Sequence, residues 1–154
     1  MIDTMIKAGD VFSMQTASGS AYFQFVKKNP LMGALIRVLP GMYLNEPDLD
    51  ELVQKETNFW IFFPVGSALK KKIIQRVKNV VVPLHSKETP VFRTGVVDPS
   101  TGRVENWWFW DGEEGRMVGE ITEEQRKFPI RGVWNDTLLI QRIEEGWLPE
   151  KDKR

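Results

Sequence analysis

The residues best suited to chemistry lie in one short run, Glu105-Asn106-Trp107-Trp108-Phe109-Trp110, with Asp111 directly after it. In an extended chain side chains alternate, so Trp108 and Trp110 point to one face and Trp107 and Phe109 to the other. One pair can fill a core. The other needs a cover, because an exposed aromatic pair of this size is unusual on a monomer. That cover is either the chain's own C-terminal helix or a partner or ligand, and tryptophan is strongly enriched at binding hot spots. Glu105, Trp107, Trp108, Trp110 and Asp111 are therefore the candidate binding residues.

Catalytic constellations are hard to assemble from the remaining residues. His85 is the single histidine. It lies in Pro83-Leu84-His85-Ser86-Lys87, and no Gly-x-Ser-x-Gly turn exists to present a nucleophile to it. With one histidine and no cysteine, a metal site would have to be built from carboxylates. Carboxylates are plentiful, and two could act as an acid/base pair, but spacing selects no pair over solvated turns and helix faces. Asp111-Gly112-Glu113-Glu114-Gly115 lacks the alternating oxygen ligands and distal glutamate of a calcium loop, and its glycines suit a hairpin better than a phosphate cradle. Lys70-Lys71-Lys72 with Arg76 and Lys78 is the one basic cluster, fit either for phosphates or for guarding a sheet edge. The expectation is a non-enzyme with no catalytic residues, no metal and no cofactor.

The elements that must position these residues come from a chain of 154 residues, the usual size of a single domain. We expect one domain over 1–148 and a frayed tail over 149–154, which offers little apolar anchor. Lysine plus arginine total 21 and aspartate plus glutamate total 21, so no basic excess favours nucleic acid as a partner. Absence of cysteine fits a reducing compartment. Met1-Ile2-Asp3-Thr4-Met5-Ile6 has no leader pattern and the longest apolar run, Phe59 to Val65, is too short for a membrane span, so a cytoplasmic location is expected. A homo-oligomer is left open.

The patterning predicts strands over Val11–Gln15, Tyr22–Val26 and Ala34–Leu39, forming a meander. Asn45 is expected to cap a helix carrying Pro47 in its first turn and Leu49, Leu52 and Val53 on its apolar face. Phe59-Trp60-Ile61-Phe62-Phe63 reads as a strand covered on both faces. Residues 67–82 fit both a helical and a β period; a helical turn near Ser67–Lys71 followed by a strand near Lys72–Lys78 reconciles the two. Val91–Val97 and Val104–Trp110 flank Asp98-Pro99-Ser100-Thr101-Gly102 as a hairpin, with a third strand over Arg116–Ile121. Thr122 and Gln125 make a capping box, and Asn135 caps a helix whose Leu139, Ile140, Ile143 and Trp147 share one face. The fold class is α+β: a twisted, mostly antiparallel sheet or partly closed barrel of short strands with a few short helices.

Several of these segments carry a family resemblance. Lys7-Ala8-Gly9-Asp10-Val11-Phe12 before a short meander resembles the start of the bacterial immunity protein 26 family. Ser67-Ala68-Leu69-Lys70-Lys71 leading to Ile73-Ile74, then Val82-Pro83-Leu84 and Pro90-Val91-Phe92-Arg93, is similar to its middle. Ile143-Glu144-Glu145-Gly146-Trp147 resembles its closing helix. Lys70-Lys71-Lys72-Ile73-Ile74 departs from the glycine and aromatic expected there. The resemblance implies a cytoplasmic protein that neutralises a cognate bacterial toxin by occupying its active site or an essential surface of it, with no catalytic residues of its own. Two other readings stand beside it. One is a ligand-binding module whose tryptophan strand stacks carbohydrate or nucleic-acid bases. The other is a small carboxylate-based hydrolase, with or without His85.

Overall fold

The computed structural model describes residues 5–154; Met1-Ile2-Asp3-Thr4, part of the segment read for a leader, lies outside the described residues. The chain divides into two compact units, one formed by residues up to Glu88 with Gly132–Gly146, the other by Thr89–Arg131 with Trp147–Arg154. Each is taken by itself.

The first unit opens with the meander β1 (Asp10–Thr16), β2 (Gly19–Asn29) and β3 (Gly33–Val38). Its first turn needs glycine: Gly19 has φ +123°, and a Cβ there would stand 2.5 Å from the Tyr43 carbonyl oxygen. The second is closed by Asn29, whose side-chain oxygen accepts from the N–H groups of Leu31 and Met32 at 2.9 and 3.0 Å. There follow α1 (Leu49–Gln54), β4 (Phe59–Phe62), α2 (Val65–Lys70) and β5 (Ile74–Asn79). The five strands form one antiparallel sheet in the order β4-β3-β2-β1-β5. It is an open sheet with β4 and β5 at its ends, so the barrel alternative does not apply.

One local expectation is corrected and another is met. The cap of α1 is Asp48 and not Asn45: the Asp48 carboxylate accepts from Glu51 N–H at 3.2 Å, and Pro47 precedes the cap. Around residues 67–82 the two periods occur in succession. The helix stops at Lys70, Lys72 takes a left-handed φ of +62°, and the strand begins at Ile74. The basic cluster thereby falls on a helix end and an edge strand, where Arg76 pairs with Asp10 at 3.5 Å and Lys78 with Asp50 at 2.8 Å.

Both faces of the central strands are buried. On one, Phe12 stacks on Phe23 at 5.3 Å between ring centroids, and Phe63 meets Phe23 edge-on at 5.6 Å. Another cluster joins Val11, Tyr22 and Leu39 to Leu49, Leu52 and Val53 of α1. The aromatic run of β4 is covered as its composition requires, although it is an end strand. Gly132–Trp134 runs beside it, with Phe62 N–H donating to the Gly132 carbonyl at 3.2 Å and Trp134 N–H to the Phe62 carbonyl at 3.0 Å. Asn135 then caps α3 (Asp136–Glu144), accepting from Leu138 N–H at 2.8 Å, and Leu139 and Ile143 are buried.

The second unit holds β6 (Phe92–Thr94), β7 (Val97–Asp98), β8 (Arg103–Val104), β9 (Trp107–Trp110) and β10 (Gly115–Gly119). These make a three-stranded sheet in the order β10-β9-β6 and a separate two-stranded ladder, β7-β8. The expected hairpin is thus present but interrupted. Thr94 pairs with Trp108 and Val97 with Val104, so Gly95 and Val96 lie opposite Glu105, Asn106 and Trp107, a one-residue mismatch that breaks the ladder. Gly95 permits the close approach, since a Cβ on it would lie 2.3 Å from Val104 Cγ1. The third strand ends at Gly119, with φ +77°, short of Ile121.

The capping box forms as read: Thr122 N–H donates to Gln125 Oε1 at 3.0 Å and Gln125 N–H to Thr122 Oγ1 at 3.1 Å. It opens a single 3-10 turn, Gln125–Lys127. Trp147 lies beyond the end of α3, its indole N–H donating to Asp152 at 3.3 Å. The tail expected to fray instead forms a 3-10 turn, Pro149–Lys151, with Pro149 buried. A buried guanidinium, that of Arg93, donates to the Pro149 carbonyl at 2.7 Å and supplies the anchor that the tail's own composition lacks. The architecture is α+β, with antiparallel sheets and three short helices, and among the described residues no helix is long and apolar enough to cross a membrane.

Candidate functional site

Strand β9 is where the aromatic run is sorted. Trp107, Phe109 and Trp110 are buried, while Trp108 keeps 44 % of its surface exposed. On the Trp107/Phe109 face the cover comes from within the second unit. The Arg93 guanidinium lies 4.5 Å from the Trp107 ring centroid, Phe128 meets Phe109 at 5.1 Å, and Arg116 stands 5.8 Å from Phe109. The C-terminal helix expected to do this, α3, belongs to the first unit. On the opposite face Phe92 packs on Trp110 at 5.6 Å and the Arg131 guanidinium lies 5.1 Å over that ring.

Arg93 shows what such packing requires. It is fully buried and has no hydrogen-bonded carboxylate partner among the described residues. Besides the Pro149 bond it reaches the Phe128 carbonyl at 3.4 Å, and its Nη1 has no hydrogen-bond partner. Burial, with Arg126 as a further like charge, lowers its pKa to about 10, so the group is still cationic at neutral pH. A ring face tolerates a poorly solvated guanidinium better than an aliphatic wall does, because the π quadrupole is negative there.

Next to Trp108 and Trp110 lies an open groove of about 860 Å³. One wall is the Thr94–Pro99 connection, which spans the break in the hairpin. Glu105, Asn106, Glu113 and Arg131 also line it. Gly115, paired with Trp110, adds no side chain beside the exposed Trp108 ring, where a Cβ would sit 3.7 Å from it. Val96 projects at the wall with 89 % of its surface exposed. The arrangement offers an apolar floor with carboxylates among the residues around it.

Of the five residues proposed from sequence, the groove brings together Glu105, Trp108 and Trp110. Trp107 is buried beneath Arg93 on the other face. Asp111 shapes the turn between β9 and β10, its side chain accepting from Glu113 and Glu114 N–H at 2.9 Å each. Those backbone donors, Glu114 first, hold its carboxyl below the usual range. Residues missed from sequence are Thr94–Pro99, Glu113 and Arg131. Arg131 carried no local signal: it arrives because Pro129 and Arg131 bond to both sides of Arg93 in β6, at 2.8 and 3.0 Å.

His85 is engaged elsewhere, in the first unit. Its Nε2–H donates to the Gln54 carbonyl at 3.1 Å, and its Nδ1 is hydrogen-bonded with the Ser86 hydroxyl at 2.8 Å. Ser86 contacts the Thr57 hydroxyl at 2.9 Å, and Thr57 accepts from Arg37 Nε at 2.8 Å. The pair imitates a base and its nucleophile, yet Ser86 is only 2 % exposed, so no substrate carbonyl reaches its oxygen. Among the described residues no three histidine, aspartate or glutamate side chains are grouped to hold a metal. No family model, curated protein or solved structure matches the chain.

Proposed function

We propose that this chain is a non-catalytic binding protein of the immunity type, which neutralises a cognate bacterial toxin in the cytoplasm by docking on it through the Trp108 groove. The observation that carries the reading is Trp108 itself. A large aromatic is held half exposed on a short, buried strand, where it has the rigidity and the apolar area of a hot-spot anchor. Support also comes from the quoted likenesses to the immunity protein 26 family and from the occupation of the His85 and Ser86 polar atoms by the chain's own bonds.

The test is co-expression with the candidate toxins encoded by the genes neighbouring this protein's. The intact chain is expected to restore growth, and Trp108→Ala is expected to abolish protection while leaving the fold unchanged by circular dichroism. No rescue by the intact chain overturns the reading.

One observation favours a second reading. Asn106, Glu105 and Glu113 line the same groove as the open ring, the equipment with which a stacking platform binds sugar hydroxyls. Shifts of the Trp108 indole resonance on adding neutral oligosaccharides would support it.

A further inference from the structure

The aromatic run of β9 has a regularity beyond its burial. Trp107, Phe109 and Trp110 each have an arginine of this chain within 6 Å of the ring: Arg93, Arg116 and Arg131 at 4.5, 5.8 and 5.1 Å. Among the described residues no cation and no other ring lies over Trp108, the fourth member and the exposed one. The surroundings of that ring are also uneven in charge. Asp98, Glu105 and Glu113 line the groove against Arg131 alone, and Arg131 is already placed over Trp110. Hydrogen bonds from the Ser100 hydroxyl and N–H hold Asp98 below its usual range, so it is ionised at neutral pH. An anionic or neutral apolar occupant would leave these carboxylates uncompensated. A guanidinium would meet a ring face and carboxylates together, the two surfaces it binds best.

Resting on the docking surface proposed above, we infer that the partner inserts an arginine side chain over Trp108, completing from outside the arginine–aromatic series that the chain builds for itself at the other three rings. The partner segment is accordingly basic at its tip, with apolar neighbours to meet Val96 and Pro99.

Blocked pentapeptides Gly-Leu-X-Leu-Gly, with X as arginine, lysine, serine or glutamate, test the inference against the full chain, followed by the Trp108 indole resonance. The arginine peptide is expected to bind about tenfold more tightly than the serine one, and to weaken as sodium chloride is raised. Trp108→Phe, which keeps a ring, should retain part of that preference; Trp108→Ala and the double change Glu105→Gln with Glu113→Gln should lose most of it. Equal binding of the arginine, serine and glutamate peptides, or no response to any, overturns the inference, as does a lysine peptide that outbinds arginine. The co-expression assay separates the two proposals. Protection that needs Trp108 without any arginine preference leaves the docking surface and removes the arginine. Arginine preference with protection independent of Trp108 leaves the arginine site and removes the docking role.

Discussion

Each unit buries one arginine completely, and the two are accommodated in different ways. Arg37, on β3, is enclosed by oxygen. Its Nη1 donates to Gln24 Oε1 at 2.7 Å and to the Val53 carbonyl at 3.1 Å, its Nη2 to the Lys55 carbonyl at 2.7 Å, and its Nε to Thr57. Those carbonyls end α1, where a cation also complements the helix dipole. Arg93 has two carbonyl partners, a ring face and one unsatisfied nitrogen. Burial lowers both to about 10. Hydrogen bonds are directional, so the Arg37 site is closed and serves to lock α1 to the sheet. Arginine–ring contacts are broad and tolerant of geometry, so the second unit can repeat them along one strand and still leave the Trp108 ring exposed. A fully hydrogen-bonded attachment and a strand with one exposed ring thus go with two ways of solvating the same side chain.

The largest expected effect tests the closed site. Arg37→Ala leaves Gln24 Oε1 and two carbonyls without their donor and should cost about 3–5 kcal/mol, read from chemical denaturation; a loss near that of a surface substitution would show that water replaces the guanidinium. Neighbours on β9 sharpen the contrast next. Trp107→Ala should cost about 3–5 kcal/mol and Trp108→Ala less than about 1 kcal/mol, and equal losses would make Trp108 a core residue. Two glycines at the groove come third. Gly95→Ala forces a methyl against Val104 and should cost about 1–3 kcal/mol, whereas Gly115→Ala, whose new contacts are all 3.6 Å or more, should be neutral within about 0.5 kcal/mol.

The smallest effect is in acid. Burial raises the Asp152 carboxyl, but the backbone N–H, charge and side chain of Arg154 and the Trp147 indole lower it further, and the net shift is downward from 3.8. A folded-state value below the unfolded one gives stability that is present above about pH 4 and is lost as pH falls through the folded value. Asp152→Asn should therefore flatten the acid limb of the stability profile, and an unchanged limb would remove the tail's anchoring role.

Legibility from sequence follows the range of the forces. The β1–β2–β3 meander, the Thr122–Gln125 box and the Asn135 cap were readable because each rests on residues within a few positions of one another. The Asn45 cap was misplaced because Asp48, three residues on, meets the same chemical description and is the one adjoining the apolar face. Among candidate site residues Glu105, Trp108 and Trp110 converge, while Trp107 and Asp111 are drawn into structure. Alternation distinguishes two faces but not which of them a distant segment will cover.

The residue types alone determined that β9 would present aromatic side chains to both faces, since alternation is a property of the extended backbone. They also determined that a tight loop would join β7 to β8, since Pro and Gly preset its dihedrals. Only the tertiary structure decided which ring stays open. Arg93, Arg131 and Phe128 reach β9 through contacts separated by many residues in sequence, and no local periodicity encodes where such contacts end. Trp108 is exposed because its cross-strand neighbours are Thr94 and Met117, with Gly115 close by: two side chains that do not cover it and one position with no side chain at all.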